Sequence, residues 1–374
     1  MVAMLSTSVA TTRLDHIRHN LDAVRARVGD RQVLAAVKAN AYGHGAVEVA
    51  QMIQATRAAD WLGVATVPEG LALREAGVTM PLLKLSHATD PEQVAAAVAA
   101  DIDLAVVDAA SIDAVADAAT RIGRAAAVHL KVDTGMHRIG CPPPDAVSLA
   151  QRVDAAGLRL RGVFSHLPVS DTEGGRAFTQ DQIALFASVT EAIAEARGPV
   201  ELRHLANSGG VLMHPDAWFD LVRPGIVVYG SLPDPTSEPA LDLRPGLEWT
   251  TRVSFVKQVA AGESVSYGRT WTAPADTWIA TLPVGYGDGF SRQLSNVGAV
   301  LVGGVRRPIV GRVCMDQLMV DLGPTTQVRP GDPAVLIGRD GEASITVAEV
   351  AQEMGTIPYE VTCLITPRVE RRFR

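Results

Sequence analysis

From about residue 30 to residue 240, short runs of β-branched and other apolar residues alternate with alanine-rich stretches whose apolar positions recur at helical spacing. The runs predict eight strands, at residues 33–37, 62–65, 82–85, 104–107, 127–132, 160–164, 201–205 and 221–222. Helices are predicted between them at 45–56, 91–100, 111–122, 144–155 and 180–196, several opened by Asp or Thr caps and closed near glycine. A further helix at 14–28 precedes the first of these strands. Eight repeated strand–helix units imply an α/β fold, a (β/α)8 barrel of the TIM type over residues 11–240.

After about residue 240 the pattern changes to Pro/Gly turns and short alternating strands, for example 251–257, 278–283 and 334–338. These predict a C-terminal mostly-β domain over 241–374, with one helix at 346–354 capped by Thr346 and carrying Glu349 at its third position. The first ten residues have the texture of a strand that would pair with this domain.

In a barrel of this kind the reactive groups sit at the carboxyl ends of the strands. Polar residues gather there. The first strand ends at Lys38, the fifth runs into Lys131-Val-Asp133-Thr-Gly-Met136-His-Arg138, and the sixth runs into Ser165-His166. The seventh continues into Asn207-Ser208-Gly-Gly and the eighth into Arg223-Pro-Gly225-Ile226. A doubly wound sheet would instead collect its ligand loops at one crevice. Lys38 ends the apolar run 33–37, where water is scarce and an ammonium is costly, so its amine can be released as a nucleophile for a Schiff base. Only four lysines, at 38, 84, 131 and 257, compete for that role. The two turns at the ends of strands seven and eight offer unobstructed backbone N–H groups and a hydroxyl, which is what an anion needs.

Composition narrows the partners. With 374 residues and 47% hydrophobic side chains the chain can bury a large core in two domains. A formal net charge of -7, with no basic run interleaved with aromatics, argues against nucleic acid and anionic membrane surfaces. No secretory leader and no stretch of about 18 apolar residues is present, so a cytoplasmic location is expected. Cys141, Cys314 and Cys363 lack pairing or zinc spacing and read as reduced thiols. Gly43-His-Gly45 lacks the third glycine of a dinucleotide loop, Glu48 standing in its place, and no Gly-Lys pair exists for a Walker loop. His16 and His19 share a helix without a third ligand, and no metal is expected.

Lys38 with the following Tyr42-Gly-His-Gly resembles the pyridoxal-phosphate lysine motif of the alanine racemase family, and the resemblance runs on to Pro367-Arg368-Val-Glu-Arg-Arg372. It implies pyridoxal 5'-phosphate as cofactor, bound through Lys38, with Tyr42, Ser208, Gly225, Ile226 and Tyr359 around the phosphate and Asn207 beside it. His166 would stack on or bond near the ring. Arg223 would face the pyridine nitrogen. A permanently cationic arginine donates a hydrogen bond there and cannot accept the ring's proton, which favours return of a proton to Cα over transamination.

Ser264-Val-Ser-Tyr267-Gly-Arg-Thr-Trp271 resembles the family's catalytic tyrosine segment, and Cys314-Met315-Asp316 its substrate-carboxylate loop. Racemisation needs a proton donor on each face of a planar centre, which Lys38 and Tyr267 would supply. A free tyrosine titrates near pH 10, so the site must stabilise its phenolate. The resemblance implies that Tyr267 comes from a partner subunit of a homodimer with shared sites. Arg138 would bind the cofactor's phenolic oxygen and the substrate carboxylate, Lys131 would orient Arg138 and in many relatives carries a carbamate, and Tyr286 would narrow access.

The implied activity is interconversion of L- and D-alanine, supplying D-alanine for peptidoglycan. His137, where many relatives carry glycine, and the small residues of 165–171 depart from the family pattern at loops that border the substrate. A serine or broad-specificity racemase of the same family is therefore an alternative. A barrel-plus-β decarboxylase usually places an acid at the pyridine nitrogen, against Arg223. A non-enzymatic pyridoxal-phosphate carrier has no use for residues 241–374.

Overall fold

The chain begins its described course with a short strand, β1 (Val9–Thr12), after which the eight apolar runs become parallel strands in the computed structural model. They are β2 (Gln32–Ala36), β3 (Trp61–Val64), β4 (Leu82–His87), β5 (Ile102–Val106), β6 (Ala127–Lys131), β7 (Arg159–Phe164), β8 (Leu202–His204) and β9 (Leu221–Val222). The structure describes residues 8–234 and 240–374. Neighbours follow the order β8-β7-β6-β5-β4-β3-β2-β9. Backbone bonds from Asp220 N to Arg203 O (3.0 Å) and from Arg223 N to Ala206 O (2.8 Å) join the two end strands into a ring.

Alternate residues of a strand face the same way. At one level Leu34, Trp61, Leu83, Leu202 and Leu221 pack into one apolar cluster. Two residues further on stand His204 at the end of β8 and Arg223 just past β9, both buried, and β6 brings His129 and Lys131 inward at the same spacing. A plug of leucines and tryptophan thus supports a polar layer. Gly162 on β7 makes room for that layer, because a Cβ there would overlap the His129 ring.

Several elements differ from the sequence-based expectation. Strand β4 runs on to His87 through a register shift between Lys84 and His87. A helix at Val67–Glu75 had no predicted counterpart, because Pro68 and Gly70 dilute its helical signal. It is held by a capping box in which Thr66 and Glu69 satisfy each other's backbone N–H groups. The predicted strand 251–257 is instead two strands, β10 (Leu247–Arg252) and β11 (Phe255–Val259), in different sheets. The chain changes partner at the junction, where Val253 N bonds Asp332 O and Ser254 N bonds Thr281 O.

The chain divides into two units. One comprises Ile17–Tyr42 and Ala46–Arg244; the other comprises the described part of Met1–His16, Gly43–Gly45 and Pro245–Arg374. In the second unit β1 pairs antiparallel with β10 and parallel with the last strand, Glu370–Phe373. The expected N-terminal strand therefore lies at 9–12, and residues 1–7 of that expectation fall outside the described residues. The sheets of this unit enclose a core around Trp249, Leu282, Phe290, Val300 and Leu336. Its helix Val347–Met354 is capped by Thr346 as expected, and a second short helix, Pro358–Cys363, is too brief to show a period. No helix among the described residues is long and apolar enough to cross a membrane.

Replacing Gly162 with Ala should destabilise the barrel by about 1–3 kcal/mol, the usual result of overpacking, read as a lower urea midpoint. An unchanged midpoint would mean that the His129 ring can move aside freely.

Candidate functional site

Lys38 stands half-buried just beyond β2, and the chain after it does something costly. Ala39, Asn40, Ala41 and Tyr42 all have φ between 51° and 54°, a left-handed turn built without glycine. Each such residue costs on the order of 1–2 kcal/mol, so the turn needs outside support. Glu69 supplies some of it, its carboxylate accepting from Ala39 N (2.7 Å), Ala65 N (2.7 Å) and Thr66 N (3.1 Å). Asn40 Oδ1 accepts from Ala46 N at 2.9 Å. The turn brings the Tyr42 ring to 6.0 Å from the Lys38 Nζ. Strain concentrated beside a lysine marks a working site.

The mouth of the barrel collects positive charge. Burial first, and then the nearby cations Arg223, Arg138 and Lys38, lower the Lys131 pKa to about 8 against the opposing pull of Asp133. Its Nζ lies 5.1 Å over the Phe164 ring. Burial, and then the same four cations counting Lys131, hold the His166 imidazole well below its ordinary value, so it is neutral. Arg138 is exposed at the end of a loop whose backbone N–H groups at Gly135 and His137 are gathered by Asp133 Oδ1 at 2.9 and 3.0 Å. His137 adopts φ 54° there, a conformation that explains why glycine suits the position.

Arg223 is as deeply buried as Lys131, 6% exposed, and no carboxylate among the described residues pairs with it. Burial pushes its pKa down to about 9. Nη2 donates to Ser165 O (2.6 Å) and Leu205 O (3.1 Å) and lies 3.5 Å from His166 Nδ1, while Nη1 meets His204 Nδ1 at 3.0 Å. Its Nε–H has no acceptor among the described residues. A buried cation whose Nε–H is left over is suited to a neutral acceptor on a ligand.

Next to it the ends of β8 and β9 form a small cradle. Ser208 Oγ accepts from Gly225 N at 2.9 Å, tying the two turns together. The N–H groups of Ser208, Gly209 and Ile226, all in buried residues, donate to no acceptor among the described residues. Gly225 is required by space, since a Cβ would come within 2.5 Å of the Tyr42 hydroxyl oxygen. The Asn207 side chain is occupied on both atoms, its Oδ1 accepting from Gly210 N (3.0 Å) and Ser170 Oγ (2.7 Å) and its Nδ2 donating to Leu167 O (2.9 Å). Asn207 therefore shapes the cradle, with its amide already committed. Orphaned N–H groups, a hydroxyl, a phenol and a ring of cations fit a phosphate group, and the Arg223 Nε–H fits a ring nitrogen.

The remaining expected residues lie in the second unit. Tyr267 is 73% exposed on a tight turn in which Ser266 takes φ 68°. Ser266 Oγ anchors the turn by donating to Arg312 O at 2.7 Å and contacting Cys314 Sγ at 3.4 Å. Tyr286 N and Gly287 N donate to Cys314 O (3.0 Å) and Met315 O (2.9 Å), and Asp316 pairs with Arg368 at 2.8 Å. Tyr267, Cys314 and Ser266 border a groove of about 780 Å³. Tyr359, half-buried in Pro358–Cys363, belongs to this unit also. Of the histidines considered for a metal pair, His16 bonds Pro245 O (2.8 Å) and His19 bonds Asp242 (3.0 Å).

Three polar residues inside strands escaped the sequence reading: Asp103, His129 and His204, all buried in the barrel. Their signal was present as charged or imidazole side chains within otherwise apolar runs.

A closed parallel barrel with cations at its strand ends, followed by a β-sheet unit, is a build that the chain shares with solved enzymes of the amino-acid racemase class. The family models described as alanine racemase, N-terminal domain, and alanine racemase, C-terminal domain, match residues 12–233 and 246–373. An alanine racemase of Cutibacterium acnes is 51% identical over 98% of this chain and 97% of its own length. Among solved structures, alanine racemase from D-cycloserine-producing Streptomyces lavendulae superposes with a TM-score of 0.93 at 37% identity, covering 99% of this chain and 98% of its own. The Bacillus anthracis enzyme, solved with bound L-Ala-P, gives a TM-score of 0.92 at 34% identity, covering 100% of this chain and 96% of its own. The chain belongs to the alanine racemase family, whose members depend on pyridoxal phosphate.

Between about pH 8 and 10.5 the unfolded chain keeps a proton on Lys131 that the folded chain has released. Stability attributable to that burial should therefore rise with pH through this window, by up to about 3 kcal/mol. The check is urea unfolding of wild type and Lys131→Met in carbonate-free buffer: the wild-type disadvantage should shrink as pH rises, and a constant difference would show that Lys131 keeps its proton in the fold.

Proposed function

We propose that this chain binds pyridoxal 5'-phosphate through Lys38 and interconverts L- and D-alanine in a homodimer whose two sites each borrow Tyr267 from the partner subunit. The observation that carries the reading is Arg223, a buried guanidinium with an uncommitted Nε–H beside a cradle suited to phosphate. Ser208, Gly225, Ile226, Tyr42 and Tyr359 hold the phosphate in this reading, Asn207 shapes the turn, and neutral His166 lies against the ring. Bound there, the cofactor supplies a conjugated electron-withdrawing system that acidifies the substrate's α C–H.

The protein's own groups do the rest. Arg223 donates to the ring nitrogen without surrendering a proton, so the electron sink is weak and the α-proton returns to Cα. The Lys38 amine moves the proton on the D side and the Tyr267 hydroxyl moves it on the L side, so neither must cross the plane. Arg138 and the Met315 segment orient the carboxylate, with Cys314 and Asp316 supporting that segment, Lys131 beside Arg138 and Tyr286 narrowing the approach. An exposed tyrosine on a strained, anchored turn is what a donated residue needs, and this supports the dimer. The product suits peptidoglycan synthesis in the cytoplasm.

The test incubates purified protein and pyridoxal phosphate with single enantiomers of alanine, serine and lysine in deuterated water. Alanine should lose optical rotation and gain deuterium at Cα fastest. Retained rotation for alanine alongside loss for lysine or serine would move the assignment to another racemase. Lys38→Ala should lower turnover at least about a hundredfold and abolish the visible absorbance of the bound cofactor, and retention of both would remove Lys38 from the mechanism. Tyr267→Phe should suppress exchange from L-alanine first, whereas equal suppression from both enantiomers would contradict the division of labour.

A further inference from the structure

Beneath Arg223 the barrel contains a chain of buried polar contacts with no part in holding substrate. His204 Nδ1 faces Arg223 Nη1 at 3.0 Å, His204 Nε2 faces His129 Nδ1 at 2.8 Å, and His129 Nε2 faces Asp103 Oδ2 at 3.2 Å. Asp103 is closed off on its other side by Arg161, whose Nη1 lies 3.1 and 2.9 Å from the two carboxylate oxygens. The rings are clamped: His204 stacks on Phe164 at 4.8 Å and 4°, and His129 meets Trp61 edge-on at 5.6 Å and 80°. The Arg161 guanidinium lies over the other component of that pair, 5.4 Å from the Trp61 ring. Gly162 leaves the space in which the His129 ring sits.

The direction of every proton follows from one fact of chemistry. A guanidinium has donors and no acceptor. His204 Nδ1 must therefore offer a lone pair to Arg223, which places the His204 proton on Nε2. That proton needs an acceptor, so His129 Nδ1 is unprotonated and His129 carries its proton on Nε2, aimed at a carboxylate that accepts only. The reverse polarity would set two donors against each other at Arg223.

We propose that Asp103, His129 and His204 form a one-way hydrogen-bond relay that positions Arg223, with all protons pointing away from the guanidinium and toward the Asp103 carboxylate. The proposal rests on the reading above that Arg223 serves the cofactor's pyridine nitrogen. The three are positioning residues and touch neither substrate nor cofactor. An anion at the far end polarises both imidazoles in the same sense and makes His204 Nδ1 a better acceptor. The guanidinium, anchored by both Nη groups, then has one orientation, with its Nε–H turned away from the protein acceptors. Without the carboxylate only the Arg223 end holds the two rings to these tautomers, and a flipped His204 would press an N–H against Arg223 and turn it.

The direct test is nitrogen NMR of the holoenzyme labelled with 15N-histidine at neutral pH. His129 and His204 should both be neutral with the proton on Nε2; a proton on Nδ1 of either ring would overturn the relay. The second test is Asp103→Asn, alone and combined with Arg161→Gln so that no half-buried guanidinium is left facing an amide. In whichever variant keeps the wild-type far-ultraviolet circular dichroism, pyruvate release with conversion of the cofactor to pyridoxamine phosphate should rise relative to racemisation. A rise of about ten- to a hundredfold is expected, the usual effect of losing a charge-assisted hydrogen bond. An unchanged partition together with unchanged tautomers would contradict the positioning role. The two readings fail separately: a wild type that neither binds pyridoxal phosphate nor racemises alanine sinks the proposed function, whereas a racemase with the other tautomers sinks only the relay.

Discussion

A cation buried without an anion beside it constrains everything around it, and among the described residues Arg223 is such a cation. Removing a guanidinium from water is expensive, and a fold tolerates it only where hydrogen-bond acceptors replace the lost solvent. Here the replacements are two carbonyls and an imidazole nitrogen, placed by the ends of β7 and β8 and by the layer beneath them. Those acceptors sit correctly only if the strand registers are correct. The apolar plug of Leu34, Trp61, Leu83, Leu202 and Leu221 fixes those registers, since a slip of one residue would turn every inward side chain outward.

The opposite strain occurs across the same unit, at the left-handed turn after Lys38. Four consecutive residues with side chains in that region need external ties, and Glu69 provides three hydrogen bonds from a helix that starts at its own capping box. The unit therefore stores cost at two places and meets it with buried polar bonding. Both places adjoin the residues to which the proposed chemistry falls. That is the usual distribution in enzymes, where local rules are broken at the site and compensated nearby.

Much of this was legible along the chain because it follows short periods. Barrel strands announce themselves as apolar runs, and Lys38, Ser208 and Arg223 follow directly from where such runs stop. The helix Val67–Glu75 was hidden by Pro68 and Gly70, although Thr66 and Glu69 carried its capping signal. The junction at Val253 and Ser254 was hidden because a strand that changes sheets keeps its alternation while changing partners. Asp103, His129 and His204 were hidden for a different reason. Their meaning lies in being opposite one another inside the ring, a relation between β5, β6 and β8 that no local window contains. Asn207 stands in the turn after β8, where its amide is engaged by Leu167 O and Gly210 N, bonds that no local sequence pattern encodes.

The central claim is that Arg223 meets an unprotonated ring nitrogen, and the measurement closest to it is nitrogen NMR of the holoenzyme loaded with pyridoxal phosphate labelled with 15N in the ring. The account predicts a pyridine nitrogen that accepts a hydrogen bond and remains unprotonated throughout the working pH range. A pyridinium signal would contradict it, because a guanidinium packed as this one is has no means of accepting that proton.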